Sequence, residues 1–332
     1  MAGVSTSTVS AVINNKGVIG PKLTAKVQQV IASLGYYPHQ GARGLRVGRN
    51  RIMGVVVPDV TNPYYVGVVR SAEQAAKKSG YDVMMCDSDD QIDNERRHLH
   101  SLHARRVEGI VLAPVDSYEA SVTAMRSPIP IVFVDNAPIS SRVNCVITNN
   151  EEVSCEAIRH LTALGHERIA MVSRRPFQST TIARLEGYHR AMQEAGLLAR
   201  EEFIPTEARE LDGAYDCVCR LMKKSPHPPT AFFSMNNQLS LGILQALREM
   251  EIGCPEEVSV IGFDDPEWAL VCQPALSGIR QPINEIGTRA VELLLRSVNA
   301  AREEAEMPPE QIVLKSSLVI RGTTGPPPKR RN

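Results

Sequence analysis

One pattern recurs along most of this chain: short, nearly uninterrupted apolar runs alternate with stretches of helical spacing. Ile52–Val57, Gly109–Leu112 and Ile131–Val134 are apolar runs of strand length, and Pro63 opens a stretch with helical spacing. Short apolar strands separated by amphipathic helices are typical of parallel sheets buried on both faces. The pattern restarts near residue 150, so it predicts an α/β body of two Rossmann-like lobes with a cleft between them. Ligands of such sheets bind beyond the carboxyl ends of the strands.

The first 51 residues differ from this body in charge. They contain seven Lys and Arg and no Asp or Glu, whereas the other 281 residues contain 30 basic and 37 acidic side chains. A short basic module joined to an acidic body favours contact between the module and phosphate groups. The alternative is a basic face that is simply solvated.

Two short helices are expected in the basic module. Ser5 is a good N-cap for the first helix. Pro21 or Thr24 begins the second helix, and Gly35 ends it. The segment that follows contains Gly41 and Gly44, each of which weakens an isolated helix by about 1 kcal/mol relative to Ala. This segment is therefore expected to order only on contact with a partner.

Composition and motifs exclude several classes of protein. No stretch approaches about 18 uninterrupted apolar residues, which excludes a transmembrane helix, and the N-terminus lacks the features of a signal peptide. Seven scattered Cys suit a reducing cytoplasm. The chain has no nucleophile elbow, phosphate-binding loop, zinc-protease motif or dinucleotide fingerprint, which argues against an enzyme. We expect a cytoplasmic protein with no membrane partner, no cofactor and no metal.

An ordered set of motifs runs through nearly the whole chain. In order, they are Ala2-Gly3-Val4-Ser5, Thr8-Val9-Ser10, Leu34-Gly35-Tyr36-Tyr37-Pro38, Ala42-Arg43-Gly44-Leu45, Val57-Pro58-Asp59, Asn62-Pro63-Tyr64-Tyr65, Arg106-Val107-Glu108-Gly109-Ile110, His160-Leu161, Leu164-Gly165-His166, Arg184-Leu185-Glu186-Gly187-Tyr188 and Val260-Ile261-Gly262-Phe263-Asp264-Asp265. With these motifs the chain resembles the LacI/GalR family of bacterial transcription repressors. The resemblance implies a small all-α helix-turn-helix headpiece, a hinge helix and a core like a periplasmic sugar-binding protein. It also implies a homodimer that binds a pseudo-palindromic double-stranded DNA operator.

The resemblance implies DNA contacts in both the headpiece and the hinge. The residues concerned are Ser5, Thr6, Ser7, Thr8, Ser10, Arg43, Leu45 and Arg46. Ser5 is expected to cap the recognition helix, with Thr6 and Ser7 as the readers of base edges. Leu45 would wedge into the minor groove between two phosphate-binding arginines. The alternatives are that the Ser/Thr run only caps the helix and that Leu45 packs on the core.

Relatives of this family carry a further helix before the Ala-Gly-Val-Ser turn, whereas this chain begins at Met1. Without that helix, Val9, Val12, Val27 and Ile31 would have little to pack against. We therefore expect either a start that lies upstream or an impaired headpiece with weak DNA binding. A ligand-binding sensor that has lost specific DNA binding is the alternative function.

The resemblance also implies an effector site in the cleft. Its residues are Tyr64, Tyr65, Thr180, Arg184, Asn236, Asp264 and Gln281. The planar guanidinium of Arg184 suits a carboxylate, a phosphate or vicinal hydroxyls, and Asp264 would receive sugar hydroxyls or ring N–H groups. The alternatives are that Arg184 pairs with Glu186 or Asp264 and that the tyrosines belong to the core.

Three positions depart from the family pattern. Asn136 stands where an arginine is usual, and Asn149 and Asn237 stand where aspartates are usual. Two fewer acids make the cleft less negative, which favours a neutral sugar, a sugar acid or a phosphosugar as effector. By closing the lobes, the effector would change whether two hinge helices can pair on DNA.

The expected domain boundaries follow from the same reasoning. They are 1–37 for the headpiece, 38–50 for the hinge, 51–149 plus 282–310 for the first lobe, 150–281 plus 311–323 for the second lobe, and 324–332 for a disordered tail.

Overall fold

A computed structural model describes residues 2–13, 19–34, 50–118, 120, 123, 127, 129–139, 143–174, 177–208 and 211–329. The chain divides into two compact units, Met1–Asn50 and Arg51–Asn332.

The first unit contains two helices among its described residues, α1 (Thr6–Ile13) and α2 (Pro21–Leu34). Val12 on α1 is 7% exposed and Val27 on α2 is 1% exposed. The expectation that these two valines lack packing partners is therefore wrong, because both are withdrawn from water.

The second unit contains two sheets, and the first of them is wholly parallel. Its spatial order is β10-β5-β4-β3-β1-β2. The strands are β1 (Ile52–Val57), β2 (Asp82–Asp87), β3 (Gly109–Leu112), β4 (Ile131–Val134), β5 (Cys145–Thr148) and β10 (Gln311–Leu314).

The second sheet is parallel except at one edge. Its order is β11-β9-β8-β7-β6, and only β11 runs antiparallel to its neighbour. The strands are β6 (Ile169–Val172), β7 (Ala231–Ser234), β8 (Ser259–Phe263), β9 (Ser277–Arg280) and β11 (Ser317–Val319).

Helices cover both sheets, as the sequence pattern predicts. They are α3 (Pro63–Lys78), α4 (Ile92–Ala104), α5 (Asn150–Ala163), α6 (Ser179–Glu194), α7 (Leu211–Lys224), α8 (Asn237–Glu249) and α9 (Ile283–Arg302), with short 3₁₀ turns at Glu201–Phe203 and Glu267–Leu270. No helix within the described ranges combines the length and apolar character needed to cross a membrane.

Burial on both faces explains the uninterrupted apolar strands. In β1, Val55 and Val57 belong to the hydrophobic cluster under α3 and α9, whereas Val56 belongs to the cluster on the opposite face of the sheet. Because consecutive side chains of a strand point to opposite faces, each face requires its own apolar residue.

The predicted boundary between the lobes near the C-terminus needs a correction. The sequence analysis assigns 311–323 to the second lobe, but Gln311–Leu314 pairs with β5 in the first sheet and Ser317–Val319 pairs with β9 in the second. The chain therefore crosses between the lobes after Leu314, four residues later than the expected boundary at 310.

The expected disordered tail also needs a correction, because its first residues are held on the second lobe. The Gly325 amide donates to Ser259 Oγ at 3.0 Å, and Nε2 of buried His166 lies 2.9 Å from the Gly325 carbonyl. His160 Nε2 lies 3.1 Å from Thr324 Oγ1. These contacts order the chain through Gly325.

His166 makes stability depend on pH. Burial lowers the pKa of His166 below its ordinary 6.5, so below about pH 6.5 the unfolded chain binds a proton that the folded chain does not. Stability is therefore lost as pH falls from about 6.5 toward the folded-state pKa. We expect His166→Gln to reduce the drop in Tm between pH 7.5 and pH 5.5. The exposed His100, changed to Gln, is the control, and an unaltered drop in the His166 variant would contradict the prediction.

Candidate ligand cleft and DNA-reading helix

The start of α1 carries exposed hydroxyl groups. Ser5 Oγ accepts the Thr8 amide hydrogen at 3.2 Å, which is the geometry of an N-cap. Thr6 and Ser7 are exposed on the first turn, whereas Thr8 and Ser10 are half-buried. The two side chains expected to read bases are thus accessible, as is the capping Ser5.

The predicted hinge residues lie outside the described residues. Arg43, Leu45 and Arg46 all belong to this group. Their DNA contacts stay predictions.

The cleft lies where strands of the two lobes end. Asp135 follows β4 of the first lobe, and Asp264 follows β8 of the second lobe. Both have left-handed backbone conformations, with φ of 63° and 74°, which Asp tolerates better than most residues. The two lobes therefore present equivalent carboxylates toward one cleft, as expected for ligand sites at strand ends.

Arg184 on α6 is buried at this site and is held by three contacts. Its Nε donates to Asn150 Oδ1 at 2.8 Å, and Nη1 donates to the Met235 carbonyl. The guanidinium carbon lies 3.4 Å from the centre of the Phe263 ring. These contacts hold the guanidinium in place, and they involve neither Glu186 nor Asp264, the two partners considered as the alternative.

Two tyrosines at the start of α3 form the wall of the first lobe. Tyr65 donates its hydroxyl hydrogen to Asp135 Oδ2 at 3.0 Å, and the Tyr64 and Tyr65 rings meet edge to face at 5.1 Å. The Tyr64 hydroxyl is buried without a hydrogen-bond partner among the described residues. Burial raises the pKa of both tyrosines well above the ordinary value of 10.0, so both remain neutral.

The two carboxylates influence each other. Burial raises the pKa of Asp135, the charge of Asp264 adds to that rise, and Arg184 together with the Tyr65 hydroxyl opposes it. The Asp135 carboxyl is thus easier to protonate than an exposed aspartate, and a bound hydrogen-bond donor would stabilise its charged form.

Asp264 has a partner on each oxygen. Gln281 Nε2 donates to Oδ1 at 2.7 Å, and Asn237 Nδ2 donates to Oδ2 at 2.8 Å. Gln281 in turn accepts a hydrogen bond from Thr148 Oγ1 at 3.2 Å. Both predicted residues, Asp264 and Gln281, therefore belong to one buried network.

Thr180 faces the first lobe across the cleft. Its hydroxyl donates to Asn136 Oδ1 at 2.7 Å, and its amide donates to the same oxygen at 3.2 Å. Asn236 has a different position, because its side chain accepts the Leu239 amide hydrogen at 2.8 Å and caps α8. The structure thus brings every predicted effector residue except Asn236 into the cleft network.

Several polar residues of the cleft were not among the predicted site residues. The sequence analysis identifies Asn136 and Asn237 only as departures from the family pattern and does not predict their hydrogen bonds. Asp135 had the same sequence signal as Asp264, since both are aspartates directly after an apolar strand. Asn62 lies in the motif Asn62-Pro63-Tyr64-Tyr65 but was not predicted as a site residue, and Asn150 carried no signal that distinguishes a cleft residue from a surface one.

Two cavities border the cleft. One, of about 760 Å³, is lined by Asp264, Gln281, the middle of α3 and the start of α9. The other, of about 550 Å³, is lined by Asp90, Arg174 and Gln178 among others. Space of this order accommodates a small polar molecule.

The chain matches two family models. Residues 1–39 match the model for bacterial regulatory proteins of the lacI family, and residues 158–324 match a periplasmic binding protein-like domain. Together with the two parallel-sheet lobes, these matches confirm the predicted fold class.

Curated and solved relatives cover almost the whole chain. The ribose operon repressor of Escherichia coli K12 is 32% identical over 325 residues, which is 97% of each chain. A crystal structure of the lac repressor dimer bound to operator and the anti-inducer ONPF superposes with a TM-score of 0.85 at 26% identity, covering 98% of this chain and 96% of that one. A LacI family transcriptional regulator from Enterococcus faecium, with bound ribose, superposes with a TM-score of 0.72 at 26% identity, covering 83% and 99%.

The ribose operon repressor is 32% identical over 97% of each chain, and the headpiece match and the two-lobed core agree with it. The chain therefore belongs to the LacI family of bacterial regulatory proteins.

Proposed function

We propose that this protein is a transcriptional regulator, acting as a repressor, that binds a pseudo-palindromic operator as a homodimer and responds to a neutral sugar in the interlobe cleft. The observation that carries the proposal is the buried cleft built from Arg184, Asp135 and Asp264, in a chain that also has a basic helical module.

The first unit has the features that DNA binding requires. Thr6 and Ser7 are exposed at the start of α1, where recognition-helix side chains reach base edges. Lys22 and Lys26 are exposed on α2 and add positive charge that suits phosphate. The lac repressor relative was crystallised on its operator. We extend this to the hinge, where Leu45 would enter the minor groove and Arg43 and Arg46 would hold phosphates.

The charges of the cleft favour a neutral ligand over an acidic one. A sugar acid or phosphosugar would meet two carboxylates, Asp135 and Asp264, against the single guanidinium of Arg184. Sugar hydroxyls can donate to the carboxylates and accept from the arginine without bringing a second negative charge close to Asp135 and Asp264. The regulator from Enterococcus faecium holds ribose.

Exposed apolar side chains on the second lobe support a homodimer. Leu270 is 60% exposed and Val271 is 78% exposed, in the segment after β8. A two-fold dimer buries the same patch on both copies and matches a palindromic operator. The lac repressor relative was crystallised as a dimer on its operator.

The regulatory step requires a difference in effector affinity between two conformations. A ligand that contacts both lobes binds one arrangement of the lobes better than another, and couplings of this kind are commonly about 1–3 kcal/mol. A change in the contacts between the lobes would change the placement of the two hinges in the dimer.

One experiment tests both halves of the proposal. A random duplex pool is selected with the full-length protein at two salt concentrations, and binding to the enriched duplex is then measured by fluorescence anisotropy with neutral, acidic and phosphorylated sugars. We expect a palindrome and a change in affinity with a neutral sugar. Failure to enrich any sequence would instead favour a sensor without specific DNA binding.

The exposed hydroxyls of α1 should control operator affinity. We expect the double variant Thr6→Ala/Ser7→Ala to lose about 10- to 100-fold in specific affinity, because a good base contact contributes about 1–3 kcal/mol. Ser33→Ala, an exposed serine on α2, is the matched control and should bind normally. Equal affinity of the double variant and the control would contradict the role given to these residues.

A further inference from the structure

One side-chain amide joins the two lobes at the centre of the cleft. Asn237, the first residue of α8 in the second lobe, donates from Nδ2 to Asn62 Oδ1 of the first lobe at 2.8 Å. The same nitrogen donates to Asp264 Oδ2 at 2.8 Å. An amide nitrogen carries two hydrogens, so both acceptors can be satisfied at once. Asn237 and Asn62 are buried, so water does not compete for these bonds.

The acceptor in the first lobe is itself held in place. Asn62 caps α3, and its Oδ1 also accepts the Tyr64 amide hydrogen at 3.0 Å. The bond from Asn237 therefore ends on the helix terminus that carries Tyr64 and Tyr65. Separation of the lobes at this point requires the bond between Asn237 and Asn62 to break. The bond from the Tyr64 amide to Asn62 lies within the first lobe and does not depend on the second lobe.

Further bonds cross the cleft around this centre. Gln238 Nε2 donates to Asp59 Oδ2 at 2.9 Å, and the Thr180 hydroxyl donates to Asn136 at 2.7 Å. At the rim, Arg174 of the second lobe forms an ion pair with Asp90 of the first. Several polar groups that line the two lobes are thus partners for each other, whereas the buried Tyr64 hydroxyl has no partner among the described residues.

We propose that Asn237 is a latch that holds the two lobes closed through its bonds to Asn62 and Asp264, and that effector binding works by exchanging these bonds. This deepens the proposed function as the regulation of the same cleft, and it rests on that proposal for the role of the effector. A sugar hydroxyl that donates to Asp264 competes with Asn237 for Oδ2. Ligand binding therefore weakens the hold of Asn237 on Asn62, and the ligand supplies its own contacts to both lobes. Asn237 thereby contributes to effector selectivity, because a ligand that displaces its side chain without donating to Asp264 leaves Oδ2 only the long bond from the Asn237 backbone amide at 3.4 Å.

The test uses Asn237→Asp in the full-length protein without sugar. This change keeps the size of the side chain but removes both donors and places a carboxylate against Asp264. An acid in the first turn of a helix favours the helix, so α8 should still form. Asn299→Asp, an exposed position on α9, is the matched control.

Amide hydrogen exchange at Ala137 and Thr180, away from Asn237, reports on closure of the lobes rather than on the structure around the substituted residue. The Thr180 amide donates to Asn136 Oδ1, and the Ala137 amide donates to Ser179 Oγ at 2.9 Å, so each of these protons is protected by the opposite lobe. We expect exchange at Ala137 and Thr180 to be slow in the wild type, to rise about tenfold or more in Asn237→Asp, and to stay slow in Asn299→Asp.

Two results would overturn the latch. One is fast exchange at Ala137 and Thr180 in the wild type, and the other is equal protection in the wild type and Asn237→Asp. A second variant, Asn237→Ala, removes the donors without adding charge and should raise exchange in the same direction, though less. Because no sugar is present, the result does not depend on whether the proposed effector binds. Failure of every sugar to bind would count against the proposed function. It would not change what the exchange rates at Ala137 and Thr180 show about the role of Asn237.

Discussion

Replacing Arg184 with alanine should weaken effector binding by about 100-fold or more, which corresponds to about 2.7 kcal/mol. Arg184 is buried, and its contacts with Asn150, Met235 and Phe263 leave the guanidinium no freedom to turn away from the cleft. Hydrogen bonds from a charged donor are worth about 1.5–3 kcal/mol each. The measurement is isothermal titration with the sugar that alters operator binding.

Two comparisons separate binding from folding in this experiment. Arg159, on the same lobe, is exposed and pairs with Glu194 at 2.7 Å, so Arg159→Ala should bind the sugar normally. Arg184→Lys keeps the charge but loses the planar fork, and we expect an intermediate affinity. If Arg184→Ala binds as tightly as Arg159→Ala while remaining folded, Arg184 does not contact the effector.

The second large effect concerns the packing of α5 against α6. Gly187 lies on α6, and a Cβ at this position would meet the Glu151 carbonyl oxygen at 2.2 Å and Ser154 Cβ at 2.9 Å. Because the obstacle is backbone, the two helices must separate. Overpacking costs about 1–3 kcal/mol, and alanine recovers about 1 kcal/mol through its helix propensity. Because the obstacle is backbone, we expect a cost at the upper end of this range, so Gly187→Ala should lose a net of up to about 2 kcal/mol of unfolding free energy, measured by urea denaturation.

Gly253 provides the control for this prediction. It lies in the same lobe, and a Cβ there would have its nearest neighbours at 3.4 Å, which is ordinary contact. Gly253→Ala should therefore change stability little. A Gly187→Ala variant as stable as Gly253→Ala would show that the two helices can separate without cost.

Much of the fold could be predicted from local pattern. Ile52–Val57, Gly109–Leu112 and Ile131–Val134 match the expected strands residue for residue, since burial on both faces leaves an unbroken apolar run. Cys145–Thr148 and Ser277–Arg280 were not predicted as strands. The first ends in a threonine, and the second begins with a serine and ends in an exposed arginine, so neither has the unbroken apolar run by which the others were recognised.

The site was predictable only in part. Arg184 and Asp264 lie in motifs shared with the family, and the structure places both in the cleft. Asn236 and Asn237 are adjacent amides that sequence alone does not distinguish. The start of α8 decides between them, because the N-cap position turns the Asn236 side chain back onto the Leu239 amide and leaves Asn237 to face the first lobe.

The sequence by itself determined the class of this protein: a basic helical module followed by two α/β lobes, with family motifs at the strand ends. These features depend on periodicity and on short segments, which are local properties of the chain. Only the tertiary structure decided that Asn62, Asn237 and Asp264 form one network across the lobes, and that the C-terminal strands divide between the two sheets. Those contacts join residues that are up to 175 positions apart, and such pairings exist only once both lobes have folded and met.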